Sequence, residues 1–285
     1  MVKQHIAKIP TRGEDTQKGD FGHVFVLAGS AGMTGAAYLT SQAAIRSGSG
    51  LVTCGIPKSL NLVMEAKLTE VMTLPLPEAK GQALCFAALE KIVSFSEKIN
   101  SLAVGPGISR NKDTGKLVRE VIKKVNRPLV LDADGIVSIV GKCDLLQKRK
   151  APTILTPHPG EMARLLGKAT EFVQAARVKL AKDFAKKHKV VLVLKGYRTI
   201  VASPKGEIYL NETGNSGMST AGVGDVLTGM IASFVGQGIE AYSAAVIGTY
   251  LHGKAGDLAS RDKGQFGMIA SDLLEKLPEA IIEEV

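Results

Sequence analysis

The sequence predicts an α/β fold: a three-layer α/β/α sandwich around a mostly parallel sheet, built as one domain over residues 1–285. Two observations carry that reading. Short apolar or β-branched runs alternate along the chain with longer amphipathic segments, the pattern of strands that cross over through helices. Glycine-bearing polar loops follow the apolar runs, and an open parallel sheet gathers its ligand loops at the carboxyl ends of its strands. No internal repeat, low-complexity tract or Pro/Ser-rich linker divides the chain.

The elements follow in order. Val24 to Leu27 reads as a buried strand that enters Ala28-Gly29-Ser30-Ala31-Gly32-Met33-Thr34-Gly35, and Ala36 to Arg46 is then a small-residue helix. Leu51 to Ile56 is a second strand. Leu60 to Lys98 is patterned less clearly, with one helix expected from Gln82 to Phe95. Leu102 to Val104 ends at Gly105-Pro106-Gly107, and a helix from Thr114 to Val125 leads to the strand Leu129 to Asp132. Thr153 to Thr156 ends at Pro157-His158-Pro159-Gly160-Glu161. A long helix around Val173 to Lys187 precedes Val190 to Leu194, a run so apolar that a central place in the sheet is expected. Thr199 to Ser203 and Ile208 to Leu210, joined by Pro204-Lys205-Gly206, have the form of an antiparallel hairpin. The rest is helical: Asp225 to Val235, Ala241 to Ser260 and a short piece near Ser271.

Composition narrows the class. Apolar residues make up 45% and charged residues 22%, an ordinary soluble globular profile. The net charge is +9, but there is no Trp and only 5% aromatics, so a base-stacking nucleic-acid platform is not expected. The charge suits polyanionic nucleotide substrates instead. Cys54, Cys85 and Cys143 are odd in number and widely spaced, which fits a reducing, cytoplasmic compartment. Met1 to Thr16 is polar, without the apolar core of a secretion signal, and no apolar run reaches membrane-spanning length.

The chemistry concentrates in Asn211-Glu212-Thr213-Gly214-Asn215-Ser216-Gly217-Met218-Ser219-Thr220-Ala221-Gly222-Val223-Gly224-Asp225. A glycine-rich loop that opens a helix presents backbone N–H groups and the positive end of the helix dipole to an anion. Gly222 and Gly224 lack a Cβ and let amides approach a phosphate. Asp225 beside such a cradle is out of place unless a cation offsets it or it takes a proton from an attacking hydroxyl, and the catalytic reading is preferred to a helix cap. The other loops are weaker. Gly29 to Gly35 fits neither a P-loop nor a dinucleotide fingerprint, and Gly105-Pro106-Gly107 reads equally as a turn. Asp132 and Asp134 suit a metal or hydroxyl partner, or a helix N-cap at Asp134. His158, stiffened between two prolines, and Glu161 in the next helical turn suggest a ligand contact over a structural role. Lys195-Gly196-Tyr197-Arg198-Thr199 suits phosphate or adenine contacts, or a lysine that only reaches to the edge.

Together these segments resemble the ADP- or ATP-dependent NAD(P)H-hydrate dehydratases of the ribokinase-like superfamily. The likeness runs from about Gly22 to Gly238, through residues 28–37, Arg46-Ser47-Gly48-Ser49-Gly50-Leu51-Val52, Val104 to Gly107, Leu131 to Gly135, Leu155 to Glu161, Leu194 to Gly196 and Gly222 to Asp225. Thr156 to Glu161 is the discriminating motif, because the sugar and vitamin kinases of the superfamily usually carry an Asn-x-x-Glu type element there. The resemblance implies repair of NADH or NADPH hydrated on the nicotinamide ring: the (S)-hydrate is phosphorylated on its hydroxyl and loses phosphate. The donor would be ADP, giving AMP and phosphate, or ATP, with Mg²⁺ required. It implies Asp225 as the base that also contacts the hydrate, with Ala36, Gly107 and His158 as further hydrate contacts. Lys195, Gly196, Tyr197, Arg198, Thr199, Gly222 and Gly224 would hold the nucleotide, and Glu161 would act on Mg²⁺ through water. Val223 departs from the small hydroxylated residue often found there, so a hydroxyl-donating role at that position is not expected. A homo-oligomer, plausibly a tetramer, is also implied. The residues before the likeness are too few for the hydrate-epimerising domain some members carry, so a separate protein is expected to supply that activity.

Two other readings compete. A ribokinase-like kinase for a vitamin precursor, of the hydroxyethylthiazole or hydroxymethylpyrimidine type, would use the 211–225 loop equally well and is opposed only by the Pro157 to Glu161 motif. A non-catalytic nucleotide- or nucleic-acid-binding regulator rests on the positive charge alone.

Overall fold

Apolar runs with no polar face must be covered on both sides, and the strands show how. The computed structural model describes residues 2–285. Its strands are β1 (His23–Leu27), β2 (Leu51–Pro57), β3 (Met72–Leu76), β4 (Glu78–Ala79), β5 (Ala83–Leu84), β6 (Ser101–Val104), β7 (Leu129–Leu131), β8 (Thr153–Leu155), β9 (Val191–Leu194), β10 (Ile200–Ala202) and β11 (Ile208–Leu210). Nine of them form one sheet in the order β11-β10-β9-β8-β7-β6-β1-β2-β3, while β4 and β5 pair separately as a small antiparallel hairpin. The sheet is parallel from β3 to β9, and β10 and β11 add antiparallel at one edge.

Side chains alternate between two cores. Val24 and Val26 enter one, and Phe25 and Leu27 the other. The first is closed by α1 (Lys3–Ile6), α2 (Thr34–Arg46), α3 (Asn61–Lys67), α11 (Val223–Gly236), α12 (Ala241–Gly267), α13 (Ala270–Glu275) and α14 (Leu277–Ile282). The second is closed by α4 (Leu89–Phe95), α5 (Lys112–Lys124), α6 (Ala133–Val137), α7 (Asp144–Gln147), α8 (Pro159–Leu166), α9 (Thr170–Ala175) and α10 (Arg177–His188). The result is the expected three-layer α/β/α sandwich. Helices α2 and α11 cross nearly backbone to backbone: a Cβ on Gly229 would lie 2.1 Å from Thr40 O.

The chain leaves β1 toward β2 and β3, then returns to the far side of β1 at β6 and continues through β7, β8 and β9. That reversal between β1 and β6 is a topological switch point, and open α/β sheets bind ligands outside the carboxyl ends of the strands at such points. The loops after residues 27 and 104 therefore face each other there.

Three local expectations change. The helix expected from Gln82 to Phe95 starts only at Leu89, because Gly81 and Gln82 adopt left-handed conformations and Ala83 and Leu84 pair with the β4 strand. The long helix around Val173 to Lys187 is broken at Ala176 (φ −139°, ψ 35°) into α9 and α10. The β9 strand, expected to be central, lies where the parallel run ends, between β8 and β10; burial by neighbours on both sides suffices to make it apolar.

Candidate active site

Backbone bonds tie the polar loops together along the carboxyl edge. Gly29 N–H donates to Pro106 O (2.9 Å) and Ser30 Oγ to Gly107 O (2.8 Å). Asp132 N–H donates to Val104 O, Thr156 N–H to Leu131 O and Lys195 N–H to Pro157 O. A Cβ on Gly105 would fall 1.9 Å from Asp132 O, so only glycine lets those loops meet. The loops starting at Gly29, Gly105, Asp132, Thr156 and Lys195 thus form one continuous rim, as the sequence led one to expect.

Over this rim stands the start of α11. Gly222 is its N-cap, at φ 89°. The next side chain, Val223, packs into the core while its carbonyl accepts from His252 Nε2 at 2.8 Å. Burial depresses the His252 pKa to about 4, so the ring is neutral and its Nε2–H serves as an anchor. The first amides of a helix have no preceding carbonyl to bond and point outward.

Sequence reasoning weighed Asp132 only as a metal or hydroxyl partner, yet it organises the centre. Its carboxylate is 1% exposed, accepts from Lys195 Nζ at 2.7 Å through Oδ1, and lies 2.8 Å from Thr228 Oγ1 through Oδ2. The Lys195 ammonium is thereby held over the helix start, 3.2 Å from where a Cβ on Gly224 would be. Lysine here neither trails into solvent nor acts only through its backbone. Burial alone would lower its pKa, but the charges of Asp132, Glu161 and Asp225 more than offset this and raise it. Asp225, in the first turn of α11, responds in the opposite way. Burial and the Asp132 charge push its pKa up, the Lys195 charge pulls it back, Glu161 adds to the rise, and the net value is about 7. A carboxylate poised there can hold or release a proton near neutrality.

At the switch point, Ala36 and Gly107 come together: a Cβ on Gly107 would lie 3.1 Å from Ala36 Cβ and 2.7 Å from Met33 Cβ. Met33, exposed on this wall, was not singled out by its sequence. His158 has a structural role, the alternative weighed for it, as the N-cap of α8. Its Nδ1 accepts from Gly160 N–H (3.1 Å) and Glu161 N–H (3.4 Å), while Glu161 Oε2 accepts from His158 N–H (2.9 Å). The ring remains half-exposed on the rim, so a ligand contact and the cap are compatible. Asp134 is not the N-cap of α6. Asp132 occupies that position, its side chain turned to Lys195, and Asp134 pairs with Arg110 at 2.8 Å.

The Lys195–Thr199 loop divides. Lys195 joins the Asp225 cluster, whereas Tyr197 is 84% exposed with the Arg198 guanidinium 5.6 Å above its ring. Thr199 Oγ1 donates to Gly196 O. Arg177, at the start of α10, donates to the carbonyls of Leu194, Lys195 and Tyr197. This gives a physical reason for the break at Ala176: an unbroken helix would carry that guanidinium elsewhere. Nothing in the local sequence marks Arg177, since its partners are main-chain atoms.

The fold is a three-layer α/β/α sandwich of the ribokinase-like class. The sequence profile described as NAD(P)H-hydrate dehydratase matches residues 24–279, and the chain belongs to that family. It is 44% identical over 272 residues to the bifunctional NAD(P)H-hydrate repair enzyme Nnr of Moorella thermoacetica, covering 95% of this chain and 51% of that one. It is 37% identical to the ADP-dependent (S)-NAD(P)H-hydrate dehydratase of Neisseria meningitidis serogroup B, covering 94% of this chain and 87% of the relative. The chain spans about half the length of the bifunctional relatives it matches. Among solved structures, it superposes on the ADP/ATP-dependent NAD(P)H-hydrate dehydratase of Bacillus subtilis, co-crystallised with ATP and Mg²⁺. The TM-score is 0.86 at 29% identity, over 100% of this chain and 98% of the other. Among the described residues, no helix is long and apolar enough to cross a membrane.

Proposed function

We propose that the chain restores hydrated NADH and NADPH to their reduced forms at the expense of ADP, which leaves as AMP and phosphate. The observation that carries this is the juxtaposition of Asp225, with its pKa near 7, and the Lys195 ammonium at one helix start. Asp225 takes the proton from the hydroxyl on the (S)-hydrate ring as the hydroxyl oxygen bonds the terminal phosphorus and the bond to AMP breaks. Phosphate then departs with the ring C–O bond electrons, a proton leaves the neighbouring ring carbon, and the C=C bond re-forms. Lys195 and the amides of Gly222 to Gly224 offset the charge on the moving phosphoryl group, since they are fixed before it arrives. Ala36, Gly107 and His158 line the crevice for the hydrate, and Gly196 to Thr199 flank the nucleotide.

Among the described residues, no group of three or more His, Cys, Asp or Glu side chains is arranged to hold a metal directly. One oxygen of Glu161 is already bonded to His158 N–H. That donor set suits Mg²⁺ held through water, with phosphates completing its shell. When bound there, the ion would neutralise phosphate charge. ADP as donor is supported by the ADP-dependent Neisseria relative, and ATP is the second donor to assay. Homo-oligomerisation belongs to the same reading; the exposed Phe266 and Ile269 offer an apolar surface for it.

The test is direct. Purified protein, Mg²⁺ and hydrated NADH are mixed with ADP, ATP or no nucleotide, and the return of reduced-nicotinamide absorbance is followed. Recovery with a nucleotide, lost in Asp225→Asn, is expected. No recovery from folded protein that still binds ADP would reject the reading and favour the vitamin-precursor kinase.

A further inference from the structure

Asp132, Glu161 and Asp225 lie close enough for their charges to act on one another, with Asp134 on the same loop as Asp132, yet a pyridine dinucleotide carries its negative charge on phosphates. Lys195 is already committed to Asp132 and to the helix start. On the hydrate reading a further cation would serve those phosphates. Arg110 follows Gly107 by three residues and lies within electrostatic reach of Glu161. Its Nε donates to Asp134 Oδ1 at 2.8 Å, and among the described residues nothing accepts from either Nη. The Arg110 side chain is 64% exposed and that of Asp134 17%, so the carboxylate sits beneath and the guanidinium fork faces outward. Glu161 lies close enough for its charge to act on Arg110 as well, after the larger effect of Asp134.

Stability does not account for this pair. An ion pair whose cation is this exposed adds little to stability. The backbone is fixed as well: Ser109 is left-handed at φ 90°, its Oγ accepts from Asn111 N–H, and Asn111 caps α5. A guanidinium anchored through Nε on a rigid turn, with both Nη groups free, is arranged for end-on, two-pronged recognition of phosphate oxygens.

We propose that Arg110, aimed by Asp134, binds a phosphate of the dinucleotide hydrate and sets its affinity. The proposal rests on the hydrate reading above. The experiment therefore begins with wild-type turnover of hydrated NADH, which tests that reading by itself. Arg110→Gln, Arg110→Lys and Asp134→Asn are then compared with wild type on hydrated NADH, hydrated NADPH and hydrated reduced nicotinamide mononucleotide, with ADP varied separately. For Arg110→Gln, KM for the dinucleotide hydrates is expected to rise about ten- to a hundred-fold, the loss of one or two charge-assisted hydrogen bonds. The kcat and the KM for ADP should stay within about two-fold, with Arg110→Lys recovering part of the loss and Asp134→Asn showing a smaller rise. A rise confined to hydrated NADPH assigns the 2′-phosphate. A rise for both dinucleotides but not the mononucleotide assigns the pyrophosphate, and a rise for all three assigns the phosphate nearest the ring. Unchanged KM for every hydrate, or an equal rise for ADP, overturns the proposal while leaving the turnover result intact.

Discussion

Replacing Asp225 with asparagine should stabilise the protein while abolishing hydrate turnover. The folded carboxyl has its pKa raised from the ordinary 3.8 to about 7, because burial and Asp132 outweigh Lys195. Between those values the folded chain keeps a proton that the unfolded chain has released, so this group's contribution to stability falls as pH rises through the window. Above about pH 7 the loss is complete. Roughly three pKa units correspond to a ceiling of about 4 kcal/mol, and partial solvent contact and relaxation reduce that to about 2 kcal/mol. For a chain of this size, about 2 kcal/mol moves Tm by roughly 3–4 °C. Asparagine cannot ionise and escapes the penalty. Melting curves of nucleotide-free wild type and Asp225→Asn, recorded by circular dichroism from pH 4.5 to 8.5, should start close together. The gap should open in favour of the variant and level off near pH 8. A variant equal to wild type or less stable at pH 8 would show that Lys195 outweighs burial, that Asp225 ionises as an ordinary aspartate, and that it is not a poised base.

Three further outcomes follow from the same geometry. On the acid side, kcat/KM should fall about tenfold per pH unit below about pH 7 as Asp225 takes up its proton, and a profile flat down to pH 5 would contradict this. Lys195→Met leaves the Asp132 carboxylate buried with only Thr228 as partner and should cost about 3–5 kcal/mol in urea unfolding, while the double change with Asp132→Leu should recover part of that. Gly229→Val places side-chain atoms where even a Cβ would lie 2.1 Å from Thr40 O, so it should cost about 3 kcal/mol or more and reduce soluble yield.

The sheet was legible because its strands are apolar on both faces, which leaves a run such as Val190 to Leu194 little freedom to be anything else. The hairpin of β10 and β11 was legible from its Pro-Lys-Gly turn. The small strand at Ala83 was not, since two buried residues next to a helix match helical periodicity equally well. The break at Ala176 was hidden for another reason: neither glycine nor proline marks it, and its cause is a guanidinium reaching carbonyls some twenty residues on. At the site, the loop ending in Asp225 announced itself through glycine spacing. The Asp132–Lys195 pair spans 63 positions and belongs to two different loop motifs, so spacing could not join them. For His158 the sequence correctly marked a constrained residue at the rim, but flanking prolines constrain a cap and a ligand contact alike.

Helix α11 is buried from Val226 to Gly236, with the proposed anion cradle at its first turn. At 1.5 Å per residue, Phe234 lies about 13 Å from Asp225 along a nearly rigid rod. Wedged against α2 with no side chain at Gly229 to yield, that rod cannot bend to absorb a packing defect. A trimmed Phe234 or Met230 would slide or tilt it, and the displacement would emerge at Gly222 to Asp225. The interior of this protein would therefore serve as the mounting of the candidate site. On the proposed reading, substitutions at these deep core positions should weaken nucleotide binding as substitutions in the loop itself would.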